Sequence, residues 1–303
     1  MENKSHKPRS KWVHWLARIG TTFGLAGATW LYLSWADLLG GVFLLGLLCA
    51  LTSHEYSRTS HPETSRAQQW LLTGFSFFTP YIFHRLLQST EPPLVTIRLF
   101  ELFLVLFLAL TLAAIVYPAV LRTICRSKLF PIWGITLPLT SLIFIADFFI
   151  SVGRTSITTL LWIIVLIFIT KATDIGALIV GSLIGKHKLA PKTSPGKTIE
   201  GAIGGVVISI LVALTIFWIG HIKLHSEYSL PAAYSVPKII VSVAIISVFG
   251  ILGDLFESSW KRFYEKKDSG ECLPGLGGIY DLTDSIIFSA PVSYFLVKYF
   301  IFS

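Results

Sequence analysis

The chain has 303 residues, 53% hydrophobic and 14% charged, with a mean hydropathy of +0.69, whereas an ordinary soluble domain carries about 25% charged residues; a water-soluble enzyme, a disordered chain and a coiled coil are excluded. Its 25 Lys and Arg against 17 Asp and Glu leave a net charge of +8, but the basic residues fall in short segments between apolar runs, which speaks for membrane topology and against nucleic acid. Cys49, Cys125 and Cys272 lie far apart with no CxxC pair, so the pattern holds neither a disulfide framework nor a cysteine zinc signature.

Apolar runs recur at 16–34, 36–52, 69–84, 97–120, 130–152, 156–180, 199–221, 237–253 and 282–302, each about enough to cross a hydrocarbon core ~30 Å thick. They predict an all-α, polytopic integral membrane protein of eight to nine transmembrane helices with cytosol-facing polar loops. Two runs set that range. The run 69–84 is short and contains Pro80, while Lys171 and Asp174 either lie within the span 156–180 or end it at the membrane surface. The segments Lys4 to Lys11, Ser53 to Gln68, Leu121 to Phe130, Lys186 to Thr198 and Asp254 to Asp281 each carry two to four Lys or Arg, and the turns between them carry few positive charges. The positive-inside rule therefore places the N-terminus and the polar loops in the cytoplasm. The stretch with Ala26, Gly27 and Ala28 reads as an uncleaved anchor or as a secretory signal; the alternation of basic loops works only if the first span stays. Without repeats or long linkers, the chain reads as one membrane domain. Residues 1–150 supply N-terminal, lipid-solvated helices and residues 151–303 a catalytic region whose polar chemistry runs from Lys171 to Asp284.

Three patches carry that chemistry. In Lys171-Ala172-Thr173-Asp174 a cation and an acid share one helical face. An ionised group inside an apolar run costs about 2.5 to 3.5 kcal/mol by insertion scales, so the pair is either functional or a mutual neutralisation. Lys186 to Thr198 holds four lysines and three hydroxyl residues without an acid. It is either a phosphate cradle, with Lys197 as point charge and Ser194 and Thr198 as donors, or a juxtamembrane loop that only sets orientation. The third patch contains Asp254, Ser258, Lys261, Arg262, Lys267, Asp268, the run Pro274-Gly275-Leu276-Gly277-Gly278, and Asp281 with Asp284. Asp281 and Asp284, three apart, point the same way on a helix and invite a hard divalent cation such as Mg2+, with Asp254 a third ligand or the partner of Lys261; alternatively one of them caps the last helix. The glycines allow close backbone approach to a ligand. Asp147, within a span, has no partner in sequence.

Together the second and third patches resemble the phosphatidate cytidylyltransferase (CDP-diacylglycerol synthase) family. The family's C-terminal signature, Ser-x-apolar-Lys-Arg, four residues, Lys-Asp, then Gly-Gly-apolar-x-Asp-x-x-Asp, is met by Ser258 to Arg262, Lys267-Asp268 and Gly277 to Asp284 without a gap. Upstream, Asp174-Ile175-Gly176-Ala177 and Ser194-Pro195-Gly196-Lys197-Thr198-Ile199-Glu200-Gly201 are similar to two further family segments. Leu276 and Leu282 stand where the family carries His and Arg, and Trp260 where a smaller residue is usual. The resemblance implies a nucleotidyltransferase that moves the cytidylyl group from CTP to phosphatidic acid, giving CDP-diacylglycerol and pyrophosphate. It implies Asp281, Asp284 and Asp254 as ligands of Mg2+ and leaves open a second cation. It also implies Lys261 and Arg262 on lipid phosphate or pyrophosphate, Ser194, Lys197 and Thr198 on nucleotide phosphates, and Ser258, Lys267, Asp268, Gly277 and Gly278 lining the substrate site. The partners implied are CTP, phosphatidic acid, the bilayer and a second copy of the chain as a homodimer. A CTP-dependent polyprenol or phytol kinase is the nearer alternative and a multi-span transporter the more distant one.

Overall fold

The computed structural model describes residues 38–88, 94–151, 156–223, 235–266, 269–270 and 278–301; the expected span 16–34, with its anchor-or-signal question, lies outside them. In chain order the elements are α1 (Leu38–Ser60), α2 (Arg66–Leu87), α3 (Leu94–Val116), the short α4 (Pro118–Arg126), and α5 (Leu137–Ser151), entered through a π-helical turn at Pro131–Thr136. There follow α6 (Ser156–Ile184), β1 (Lys188–Ala190), β2 (Ser194–Thr198), α7 (Ile199–Lys223), α8 (Val236–Phe263) and α9 (Ile279–Leu296), which leaves through a π-helical turn at Val297–Ile301. The strands form an antiparallel hairpin between α6 and α7.

Among the described residues seven helices are long and apolar enough to cross a membrane: Leu39–Ser60, Leu94–Val116, Pro131–Ser151, Trp162–Ile184, Ile199–Ile219, Val236–Phe263 and Ile279–Ile301. The protein is a polytopic membrane protein. Its outward faces fit that solvent, since Leu99, Leu102, Val105 and Leu106 on α3 and Ile203, Val207 and Leu211 on α7 are exposed. The helix α2 covers the expected run 69–84, but its Gln68, Gln69, His84 and Arg85 keep it short of the apolarity of the other seven.

Several boundaries differ from the sequence expectation for identifiable reasons. The expected span 97–120 breaks at Tyr117, because Pro118 lacks an N–H and its ring bars the preceding turn; Pro118 instead opens α4 at its first position. Lys171 and Asp174 do not end a span. They pair at 3.3 Å inside α6, which continues to Ile184. Most important, α1 and α8 run well past their expected ends, to Ser60 and Phe263. Polar residues that made those stretches look like loops, among them Ser53, Glu55, Thr59, Ser60 and Lys261, find partners inside the protein.

Glycine lets α6 and α7 approach backbone to backbone. A Cβ at Gly205 would sit 2.6 Å from the Thr173 carbonyl oxygen, and one at Gly201 2.7 Å from that of Ala177. Thr173 donates to Ser247 at 3.0 Å, and Ser209 and Ser247 lie 2.7 Å apart, so buried hydroxyls tie α6, α7 and α8 together where no water is available.

Three long-range hydrogen bonds collect the basic segments at one end of the bundle. The Trp260 indole donates to Ser60 at 3.0 Å, the Tyr264 hydroxyl to the Cys125 carbonyl at 2.7 Å, and Arg262 Nε to the Thr193 carbonyl at 3.3 Å. The ends of α1, α4 and α8 and the hairpin therefore share one face. A separate cluster stabilises α3 against the C-terminal turn: the buried Glu101 accepts from Lys298 at 2.7 Å, Tyr299 at 2.7 Å and Tyr294 at 3.0 Å. Asp147 is half-buried within electrostatic reach of Lys298.

Candidate active site

At the gathered end, the last turns of α8 lie against the first turns of α9. Asp254, Glu257 and Lys261 recur at helical spacing and so share one face of α8. Carboxylate oxygens of Asp254, Glu257 and Asp284 all lie within 4.8 Å of one another, with Glu257 and Asp284 buried and Asp254 half-buried. Three acids this close repel unless cations lie among them. Lys261 Nζ stands 3.0 Å from Glu257 and 3.2 Å from Asp281, and Lys197 Nζ 2.7 Å from Asp254. The donor set is oxygen only, drawn from two helices, and fits a hard cation of the Mg2+ type better than zinc.

The aspartates expected to act as a pair divide their work. Asp284 joins the three-acid cluster, and its Oδ1 accepts from the Ser285 N–H at 2.6 Å and hydroxyl at 3.2 Å. Asp281 instead accepts from Gly278 N–H at 2.8 Å and Ser269 N–H at 3.4 Å while holding Lys261. It thus caps α9, satisfying an amide that the helix start leaves free. The third member of the cluster is Glu257, a residue with no role expected from the sequence. Its signal is the three-residue spacing from Asp254, legible once α8 is known to continue past residue 253.

The hairpin brings the lysine-rich segment against this cluster. Lys197 is the cation that enters: its Nζ is buried, and its contact with Asp254 is an ion pair without hydrogen-bond alignment, so its donors are unspent among the described residues. Thr198 is buried and accepts from Gly201 N–H at 3.1 Å, which makes it the cap of α7. Ser194 and Ser258 are half-buried, and Gly196 faces open space. Glu200 folds back onto the segment, accepting from Lys186 N–H at 3.1 Å and lying 2.6 Å from His187 Nδ1. Arg262 is exposed and holds the hairpin through Thr193. Lys267, Asp268, Gly277 and Leu276 lie outside the described residues. The Lys171–Asp174 pair is not isolated from the site, since Ser285 donates to Asp174 at 3.5 Å as well as to Asp284.

The N-terminal helices also reach the site. From α1, the buried Glu55 accepts from the Ser269 hydroxyl at 2.5 Å and the Ile279 N–H at 2.6 Å, and Thr59 donates to the Ser269 carbonyl at 2.8 Å. Trp260, the large residue in the signature, is fully buried and stacks on Tyr56 with ring centroids 4.9 Å apart. No local signal in residues 53 to 60 announces these contacts, because every partner lies in the last quarter of the chain.

Fold and site together define a polytopic membrane protein with a buried carboxylate cluster, flanked by lysines, at one end of its helix bundle. The chain belongs to the Cytidylyltransferase family, whose profile matches residues 16–300. It is similar to the phosphatidate cytidylyltransferase of Bacillus subtilis (strain 168), 46% identical over 129 residues, which are 43% of this chain and 44% of that protein. It is also similar to the proteins of that name from Staphylococcus haemolyticus (44% over 120 residues, 40% and 42% of the two chains) and Staphylococcus saprophyticus (37% over 154 residues, 51% and 55%). The matched segments span about half the length of these relatives.

Proposed function

We propose that the protein is a phosphatidate cytidylyltransferase: it joins the cytidylyl group of CTP to phosphatidic acid, yielding CDP-diacylglycerol and pyrophosphate. The observation that carries this reading is the Asp254–Glu257–Asp284 cluster with Lys197 and Lys261 against it, within segments that resemble that enzyme family. One substrate is a membrane lipid and the other a water-soluble nucleotide, so the chemistry belongs at an interface, where these polar groups are gathered. By the positive-inside rule that interface is cytoplasmic.

In this reading Asp254, Glu257 and Asp284 hold Mg2+, which when bound neutralises charge building up on the nucleotide phosphates. Asp281, expected from the sequence as a ligand, serves instead to hold Lys261 toward Glu257 and to fix the start of α9. Lys197 offers the donors left unspent among the described residues to a nucleotide phosphate, and Ser194 and Ser258 are assigned to the same substrates. Thr198 keeps β2 in register with α7 through its cap. Lys261 and Arg262 attract the lipid phosphate or the departing pyrophosphate, and Lys267, Asp268 and Gly277 keep the substrate role that the resemblance implies, whereas the Gly278 amide is taken by Asp281. Phosphatidic acid is already an anion near neutral pH, so attack on the α-phosphorus needs no strong base, and positioning dominates the rate.

The test is to incubate detergent-solubilised protein with labelled CTP, phosphatidic acid and Mg2+ and to look for a lipid-soluble cytidine product. Label that stays in the aqueous phase, while an active relative converts it in parallel, removes the proposal.

A further inference from the structure

Glu55 belongs to α1, far from the catalytic segments in sequence, yet its carboxyl group is wedged between two glycines of the connection from α8 to α9. A Cβ on Gly270 would collide with the Glu55 carboxyl oxygen, and a Cβ on Gly278 would overlap that carboxyl group outright. The same group accepts from the Ser269 hydroxyl at 2.5 Å and from the Ile279 N–H at 2.6 Å. Around it, Thr59 donates to the Ser269 carbonyl at 2.8 Å and Lys266 reaches the Thr59 carbonyl at 3.4 Å. Ser269 and Gly270 on one side and Gly278 and Ile279 on the other thus meet at one side chain. Ile279 opens α9, so Glu55 takes up one of the free amides of that helix start and sets where Asp281 and Asp284 stand. The glycine at 278, which in sequence looked like room for a ligand, is room for Glu55.

We infer that Glu55 is a positioning residue: its carboxyl group latches Ser269 and the first turn of α9 onto α1, and so holds Asp284 in the acid cluster and Asp281 on Lys261. The inference rests on the proposed reaction only for its activity readout.

Glu55→Gln keeps an acceptor for Ile279 and a group that can pair with Ser269, whereas Glu55→Ala orphans both. Hydrogen bonds to a carboxylate are worth enough that their loss opens a segment about tenfold or more. The conformational readout is the rate at which Cys272, between Gly270 and Gly278 in sequence, reacts with a maleimide. Cys49 and Cys125 are buried, and their continued protection reports that the variant is folded. Glu55→Ala should raise the Cys272 rate about tenfold and raise the Mg2+ concentration for half-maximal activity, with Glu55→Gln near wild type in both. Because a Gly270 Cβ meets only Glu55 atoms among its nearest neighbours, Gly270→Ala should act like Glu55→Ala, and the double variant should be no worse than Glu55→Ala alone. Unchanged Cys272 reactivity and unchanged Mg2+ dependence in Glu55→Ala overturn the inference, as does a double variant whose defects simply add. If wild-type protein makes no CDP-diacylglycerol, the proposed function fails while the thiol measurement still judges the latch.

Discussion

Lys197 of β2 lies 2.7 Å from Asp254 of α8 with its ammonium buried and its hydrogen-bond donors unspent among the described residues. Two elements that sequence separates are thereby joined at the point where the proposed reaction brings a phosphate to a cation. A buried ammonium with free donors is costly unless something accepts them, and a phosphate oxygen is the acceptor the proposed reaction supplies.

Replacing Lys197 with Met keeps the aliphatic stem and removes the charge. The KM for CTP should rise about tenfold or more, on the scale of a lost charge-assisted hydrogen bond, while Lys192→Met, at an exposed position of the same hairpin, leaves it near wild type. Steady-state kinetics in detergent micelles check this, and an equal effect of the two substitutions counts against the role of Lys197.

Asp284→Asn and Glu257→Gln remove one anionic ligand each from a three-acid cluster. Each should lower turnover by about 100-fold or more, in line with losing a group that stabilises developing charge, and excess Mg2+ should recover part of it. Asp281→Asn should do less, because its oxygens serve Lys261 and the Gly278 amide. Near-normal turnover of Asp284→Asn would show that the cluster holds no essential ion.

Gly205 faces the Thr173 carbonyl at a distance no side chain tolerates. Gly205→Val should therefore push α7 from α6 and cost about 1 to 3 kcal/mol, the usual size of overpacking. Thermal unfolding in detergent should show it, and Gly41→Ala, at an uncrowded glycine, should differ little from wild type.

Burial pushes the Tyr264 hydroxyl up to about 12, so it stays a donor to the Cys125 carbonyl through the neutral range. Tyr264→Phe should cost about 1 kcal/mol, measured as a lower Tm, with the same gap at about pH 6 and about pH 9. The raised value means the folded state favours the neutral phenol. Its stabilisation is complete below the unfolded value of about 10 and fades as pH rises from there toward the folded value.

Cysteines introduced for Arg122, exposed on α4, and for Thr90 should react with an impermeant reagent from opposite sides of the membrane, position 90 from outside. Labelling of both from one side overturns the proposed orientation.

Much of the architecture was legible because apolar runs and breakers act locally. Runs long enough to cross a bilayer announce α3, α5, α6, α7, α8 and α9, and Pro118 explains on its own why α3 stops where it does. The chemistry-bearing segments were legible too, since Lys197, Asp254, Lys261, Asp281 and Asp284 all come together at one end. The division of labour among the acids was not. Helical spacing says that Asp281 and Asp284 share a side; it does not say that the Gly278 amide and Lys261 occupy one while Asp254 faces the other, with Glu257 between them.

Composition by itself determined that this chain dissolves in lipid and that its charges lie in a few short segments, because each residue carries its own transfer free energy wherever it stands. What α1 does at the site, and which carboxylates form the cluster, were decided by tertiary structure alone. Glu55 meets Ser269 and Ile279 across 214 and 224 residues of chain. Such contacts exist only after helix packing brings remote backbone donors to a buried acid, and no pattern within a single segment encodes them.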